Sequence, residues 1–267
     1  MTDIKDLTIS VIGSGNMGTA LIKGLVNKGR GSITACDTDS ERLKAINIAY
    51  KIKTTEDLSQ ALADIIIVAV KPNGIKELCE KLAKLELKNA LIISVAAGVK
   101  TSTFKNILGN EIRITRVMPN IPAVVGQAAS AIYSGIENDS QLANEIFSSI
   151  GKCFICKDEA EIDVATALCG SGPAFVAYFI EALTLAAKEL GIEQNQAQEM
   201  ALQTAYGTCL YLLEQKTSPA KLREMVSSPG GTTLAGLKNL EDNDFSQVVL
   251  KALQAATKRA REIASQH

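Results

Sequence analysis

The residues VIGSGNMG, 11–18, restrict the fold of this chain more than any other stretch. Gly13, Gly15 and Gly18 stand in G-x-G-x-x-G spacing, directly after the β-type run LTISVI and directly before the apolar-periodic segment MGTALIKGLVNKG. A strand that turns this quickly into a helix uses each glycine for a different purpose. The first allows the tight turn, the second lets a pyrophosphate approach the backbone, and the third lets the helix pack on the strand. The unpaired N–H groups at the positive end of that helix then meet the phosphates. Asp37 closes the next β run, SITACD, about 20 residues past Gly18, where a ribose-binding carboxylate is expected. A carboxylate there repels a 2′-phosphate and favours NADH. Thr38, Ser40 and Arg42 in the following residues still offer partners to one, so NADH or NADPH is expected as cofactor.

The rest of the first half alternates between β and α patterns. SERLKAI and GIKELCEKLAKL have helical periodicity, while DIIIVAV and ALIISVAAG are unbroken apolar runs that suit central strands buried on both faces of a parallel sheet. IRITRV, AASAIY and KCFIC extend the sheet, with a helix around QLANEIFSSI. After about residue 158 the β runs stop. Five helical segments follow, beginning at Pro173, Asn195, Ser218, Thr232 and Asp244 and separated by Gly, Pro, Asn or Ser. The fold class expected is therefore α/β: an N-terminal Rossmann-type doubly wound sheet over 1–158, followed by an all-α part over 159–267. Several of the late helices are apolar around more than one face, which a part of that size cannot bury by itself. A subunit interface, a homodimer at least, is expected there.

Composition excludes several functions. Lys and Arg number 28 against 29 Asp and Glu, leaving a net charge of -1, so no basic surplus exists to neutralise a nucleic-acid backbone. The opening MTDIKDLTISVIG is acidic where a secretion leader is basic, and the apolar stretch from Ala174 is short for a bilayer and holds Glu181, so a soluble, cytoplasmic protein with no membrane partner is expected. Cys153 and Cys156 have C-x-x-C spacing. On a strand, however, residues three apart point to opposite faces, and no second Cys/His pair completes a site, so no metal is expected. The single histidine is His267, and a mechanism that relies on a buried imidazole is excluded.

Three further stretches carry chemistry. AVKP puts Val70, Lys71 and Pro72 at the exit of a strand, on the edge where open α/β sheets bind ligands. MPNIP holds Asn120 between Pro119 and Pro122, so its amide projects from stiff backbone, toward a nicotinamide or into a structural turn. SSPGGTT, 227–233, interrupts the helical half. Gly230 and Gly231 expose N–H groups at the start of a helix and make an anion site that needs no lysine, and a Ser/Thr helix cap in the same loop is compatible with that.

AVKP, AAGV, MPNIP, GSGPA and SSPGGTT, in this order behind the glycine motif, resemble the pyrroline-5-carboxylate reductase family nearly end to end. The resemblance implies NAD(P)H-dependent reduction of 1-pyrroline-5-carboxylate to L-proline, and a helical part that forms a homodimer or a larger ring of dimers. It implies a cofactor set of Gly13, Gly15, Asn16, Met17, Gly18, Asp37, Val70, Lys71, Pro72, Ala96, Ala97 and Asn120. The substrate set it implies is Ser228, Gly230, Gly231, Thr232, Thr233 and Glu159, with Thr233 as the catalytic hydroxyl. The chain departs from the family pattern at Ile121 and Cys169, where Thr and Ser are usual. Two other readings compete. A 3-hydroxyacid dehydrogenase-like enzyme would need a lysine where this chain has Val176, and a non-enzymatic NAD(P)-sensing regulator would not need the second ligand loop.

Overall fold

In the computed structural model, which describes residues 4–265, the alternating first half closes into one sheet. Its strands are β1 (Thr8–Ile12), β2 (Ser32–Cys36), β3 (Lys53–Thr55), β4 (Ile65–Val68), β5 (Leu91–Ser94), β6 (Arg113–Met118), β7 (Ala128–Ser134) and β8 (Gly151–Ile155), in spatial order β3-β2-β1-β4-β5-β6-β7-β8. The first six run parallel in the 3-2-1-4-5-6 order of a dinucleotide-binding sheet. The parallel run ends at β7, which pairs antiparallel with β6 and parallel with β8. The reason is the short link between β6 and β7. It runs only over residues 119–127, with the 3-10 turn Ile121–Val125 and Gly126 at φ 74° and no crossover helix, so the chain can only turn back. From β7 to β8 a helix intervenes and the direction is kept.

The helices of this part are α1 (Asn16–Asn27), α2 (Ser40–Tyr50), α3 (Ile75–Leu82), α4 (Thr101–Leu108), α5 (Glu137–Phe147) and α6 (Glu159–Ala165). Strand alternation sends side chains to two layers. Ile9, Val11, Ile65, Ile67, Leu91 and Ile93 pack with Leu21, Leu25, Leu43 and Phe147 of α1, α2 and α5. Ile12, Ile66, Val68 and Ile92 pack with α3 and with Phe104 of α4. Every residue of β4 and β5 is buried, as their unbroken apolar runs require. In α3 the buried residues are Ile75, Leu78, Cys79 and Leu82, one helical stripe. Burial there pushes the Cys79 thiol up to about 11.

By packing, the chain divides into Met1–Ser171 with Ala255–His267, and Gly172–Gln254. The second unit holds α7 (Gly172–Glu189), α8 (Gln194–Glu214), α9 (Pro219–Met225), α10 (Thr232–Asp242) and the first half of α11 (Phe245–Ala264). Among its residues only Thr184, Ala197 and Ala201 are buried, while Val176, Tyr178, Leu185, Leu190, Tyr206 and Leu213 are at least half exposed. A unit this thin has no core of its own, and its apolar surface requires a cover. Between α6 and α7 lies a π-helical turn, Thr166–Gly170, in which the Ser171 N–H reaches back to the Thr166 carbonyl at 2.9 Å. The helical run Glu159–Glu189 is, among the described residues, the one long and apolar enough to cross a membrane by length and composition. It is longer than the apolar stretch from Ala174 suggested.

Candidate active site

The carboxyl ends of β1, β2, β4, β5 and β6 lie side by side and bring the first-half motifs together on one sheet edge. At the turn from β1 to α1, Gly13 has φ 95°, and a Cβ there would lie 2.8 Å from the Ala69 carbonyl, so AVKP packs directly against the glycine loop. A Cβ on Gly18 would lie 2.0 Å from the Gly13 carbonyl oxygen, which is the close approach of helix to strand. Around Gly15 the corresponding space is open. Gly15 is also the N-cap of α1 and contributes no side-chain cap, so the first N–H groups of α1, from Asn16, Met17 and Gly18, face that opening. The Ser14 hydroxyl is buried beside it without a hydrogen-bond partner. An opening at a positive helix end, a missing cap and an orphaned hydroxyl together fit a pyrophosphate.

Asp37 is built into this loop. Its Oδ2 accepts the Ser14 N–H at 2.5 Å and its Oδ1 accepts the Asp39 N–H at 3.0 Å. Arg42 lies over it, 3.5 Å from Asp37 and 3.2 Å from Asp39. The carboxylate thus orients the glycine loop, and a guanidinium stands beside it. Lys71 precedes Pro72 at the start of the 3-10 turn Pro72–Gly74 and is exposed, with Val70 partly buried. Ala96 and Ala97 follow β5, where the Ala96 N–H bonds to the Ser94 hydroxyl at 3.3 Å.

Asn120 is nearly buried and its amide is used inside the protein: Nδ2 donates to the Cys169 carbonyl at 3.0 Å, and Oδ1 accepts the Ala129 N–H at 2.9 Å. These bonds, 49 and 9 positions away along the chain, are long-range tethers and do not form the local turn that competed with a nicotinamide contact. Of the two departures, Ile121 is exposed on the 3-10 turn, whereas Cys169 sits in the π turn with its thiol pushed up by burial.

Glu159 also has internal partners. Its carboxylate accepts the Thr101 N–H at 2.8 Å and the Thr101 hydroxyl at 2.9 Å, and lies 3.5 Å from Arg116. Arg116, 3% exposed, also meets Asp163 at 3.2 Å. This buried network escaped the sequence reading, although an arginine in the middle of IRITRV, where neighbours are apolar, was the available signal. The C-x-x-C cysteines are free, Cys153 on β8 against the core and Cys156 beyond the strand end.

In the second unit, SSPGGTT forms the turn into α10. Gly230 has φ 72° and open space around it, and the Gly231 N–H closes the turn on the Ser228 carbonyl at 3.0 Å. The expected Ser/Thr helix cap is absent. Gly231 itself is the N-cap and has no side chain to make a cap bond, and the Ser227 hydroxyl turns back to the Arg223 carbonyl at 2.6 Å. Thr232 and Thr233 are the first two helical residues, both exposed, and the N–H groups there remain open to an anion.

A sheet in 3-2-1-4-5-6 order with a glycine gate at its switch point and an acidic residue closing β2 defines a dinucleotide-binding protein of the oxidoreductase class. Residues 8–98 match the family model described as NADP oxidoreductase coenzyme F420-dependent, and residues 159–263 match the one described as pyrroline-5-carboxylate reductase dimerisation. The chain is 36% identical to a pyrroline-5-carboxylate reductase of Pseudomonas aeruginosa, covering 97% of each chain. Its structure matches that of a pyrroline-5-carboxylate reductase from Coxiella burnetii with a TM-score of 0.93 at 34% identity, covering 97% of this chain and 99% of the other. A Plasmodium falciparum pyrroline carboxylate reductase with NADP bound matches with a TM-score of 0.83 at 27% identity, covering 98% and 99%. The chain belongs to the pyrroline-5-carboxylate reductase family.

Proposed function

We propose that this protein reduces 1-pyrroline-5-carboxylate to L-proline with NADH or NADPH. The observation that carries this reading is the near-full-length identity to reductases of that name, with both glycine loops intact. The glycine gate at α1 holds the pyrophosphate through backbone N–H groups, and Asp37 faces the ribose while Arg42 stands ready for a 2′-phosphate. When bound, the reduced dinucleotide supplies a hydride. The open N–H groups at the start of α10 take the substrate carboxylate, each charge-assisted bond contributing roughly 1.5–3 kcal/mol. Hydride addition would go to the carbon of the imine protonated on nitrogen, so that the C=N π pair becomes the lone pair of the neutral ring amine, and the Thr233 hydroxyl would donate a hydrogen bond to that nitrogen as the lone pair develops. A neutral hydroxyl suits this place, because a lysine would set a second cation beside the iminium. The one histidine, His267, lies outside the described residues. Orientation supplies most of the acceleration.

We place the functional division at residue 159, with dinucleotide chemistry before it and substrate binding and dimerisation after it. The exposed apolar helices of the second unit, α7 (the greater part of the run Glu159–Glu189) among them, are then covered by a second copy, as a homodimer or a ring of dimers, rather than by lipid. We read the enzyme as cytoplasmic. Absorbance of NADH and of NADPH, followed separately with the purified protein and 1-pyrroline-5-carboxylate, tests the reading. Consumption is expected with at least one coenzyme. No consumption with either would favour a dinucleotide sensor.

A further inference from the structure

The segment between β5 and α4 carries Ala96 and Ala97, and it is gripped from two directions. From one side comes the last turn of α11. Gly98 has φ 74°, and a Cβ there would lie 2.5 Å from Ile263 Cγ2, so the side chain of Ile263 rests directly on the loop backbone. Ala260 and Ala264 on the same helix are buried, which fixes that helix end against this unit. From the other side comes α6. The N-cap residue of α4, Lys100, makes no side-chain cap bond, and the cap is supplied from 58 positions away: Glu159 receives both the N–H and the hydroxyl of Thr101. Buried Arg116 holds that carboxylate and Asp163 one turn further along α6. The residues supplying the two grips, Glu159 and Ile263, are also the first and last of the stretch that matches the dimerisation model.

We infer that Glu159 and Ile263 are positioning residues for the dinucleotide, setting the height and direction of the 96–101 segment from the two ends of the helical region. The inference rests on the functional reading above, in which Ala96 and Ala97 lie along the cofactor. It assigns Glu159 a different task from contact with the substrate. Every polar atom of its carboxylate already has a partner within the fold, and those partners belong to the cofactor half. Ala96 and Ala97 lie between the end of β5 and the clamp at Gly98, and the clamp at Thr101 holds the far side of the same loop, so the backbone there has little freedom. Release of either clamp lets Ala96 and Ala97 move, without touching the glycine gate or the α10 loop.

The test is calorimetric titration of the full-length protein with NADH and with NADPH, for wild type, Ile263→Ala, Thr101→Val and the double variant. Thr101→Val removes one hydroxyl at a partly exposed position and keeps the Arg116–Glu159 pair, so it should fold even if Ile263→Ala does not. Each single variant is expected to raise the dinucleotide Kd about 2- to 30-fold. The double variant should raise it by less than the product of the two, because both act on one loop. In steady state the dinucleotide KM should rise while the imine KM stays within about twofold, a split that general loss of structure would not produce. Ile263→Val and Thr101→Ser should restore affinity. Variants that melt earlier yet bind both dinucleotides as wild type does would overturn the inference, as would losses that the conservative replacements fail to restore. Wild-type protein that binds neither dinucleotide would instead overturn the functional reading beneath it.

Discussion

Gly15→Ala separates the binding function of the glycine gate from its structural one. Gly15 has φ −67° and ψ −167°, which alanine adopts without strain, and a Cβ there meets nothing within 4 Å. The substitution therefore costs the folded state nothing, and it narrows the unfolded ensemble by about 0.4–1 kcal/mol. For a chain of this size that is a rise of about 1–4 °C in thermal midpoint without ligand. The methyl does, however, fill the opening in front of the first N–H groups of α1. If it removes one charge-assisted bond to the pyrophosphate, the loss is about 1.5–3 kcal/mol, or roughly 10- to 150-fold in Kd. Gly18→Ala is the contrast, since its Cβ would meet the Gly13 carbonyl oxygen at 2.0 Å, a backbone atom that cannot swing away. That variant should lose about 1–3 kcal/mol of stability or more. Scanning calorimetry and isothermal titration on the two variants check both halves. A Gly15→Ala protein that binds NADH and NADPH like wild type would refute the assignment of that opening to the pyrophosphate.

Three other substitutions probe the remaining parts. Asp37→Ser should shift preference toward NADPH and also weaken NADH binding, because the carboxylate that orders Ser14 is lost with it; coenzyme kcat/KM ratios decide, and a wild type that prefers NADPH tenfold or more, about 1.4 kcal/mol, would contradict the ribose role of Asp37. Thr233→Ala should lower kcat/KM by roughly 10- to 1000-fold with dinucleotide binding and thermal midpoint nearly unchanged, since α10 takes no side-chain cap from it, and near-normal turnover would remove its catalytic role. Asp64, at the start of β4, accepts the Thr8 hydroxyl at 2.7 Å and the Thr8 N–H at 2.8 Å, which hold its carboxyl below the ordinary 3.8. Folding favours its ionised form, so its contribution is complete above the unfolded value and disappears as pH falls through the lowered one. Urea midpoints of wild type and Asp64→Asn should differ at neutral pH and converge as the pH is taken down through the lowered carboxyl range.

The parts of the fold that were legible in the sequence are those where one residue type has one physical reason to be present. Gly13 and Gly18 stand where no side chain fits, β4 and β5 are apolar throughout because both faces are covered, and α3 repeats its apolar residues at the helical period. The reversal of β7 was not legible, since AASAIY has the same pattern in either direction and only the short link at Pro119–Gly126 decides. The Arg116 network was hidden for a different reason. Its members lie 43, 47 and 58 positions apart, and Glu159 at a helix start is equally well explained by the helix dipole. Asn120 shows the limit of reading a projecting amide: the stiff backbone of MPNIP says nothing of the long-range partners its side chain finds, the Cys169 carbonyl and the Ala129 N–H. At SSPGGTT, composition suggested a hydroxyl cap that Gly231 replaces, and the helix start is left more open than the residue types imply.

The most direct test of the account is the fate of the hydride. With NADH or NADPH carrying deuterium at the transferable position and 1-pyrroline-5-carboxylate as acceptor, mass spectrometry and proton NMR of the product should show L-proline with one deuterium on the ring carbon that had been double-bonded to nitrogen, in one-to-one ratio with coenzyme oxidised. Coenzyme oxidised without deuterium in proline, or no proline formed with either coenzyme, would contradict it.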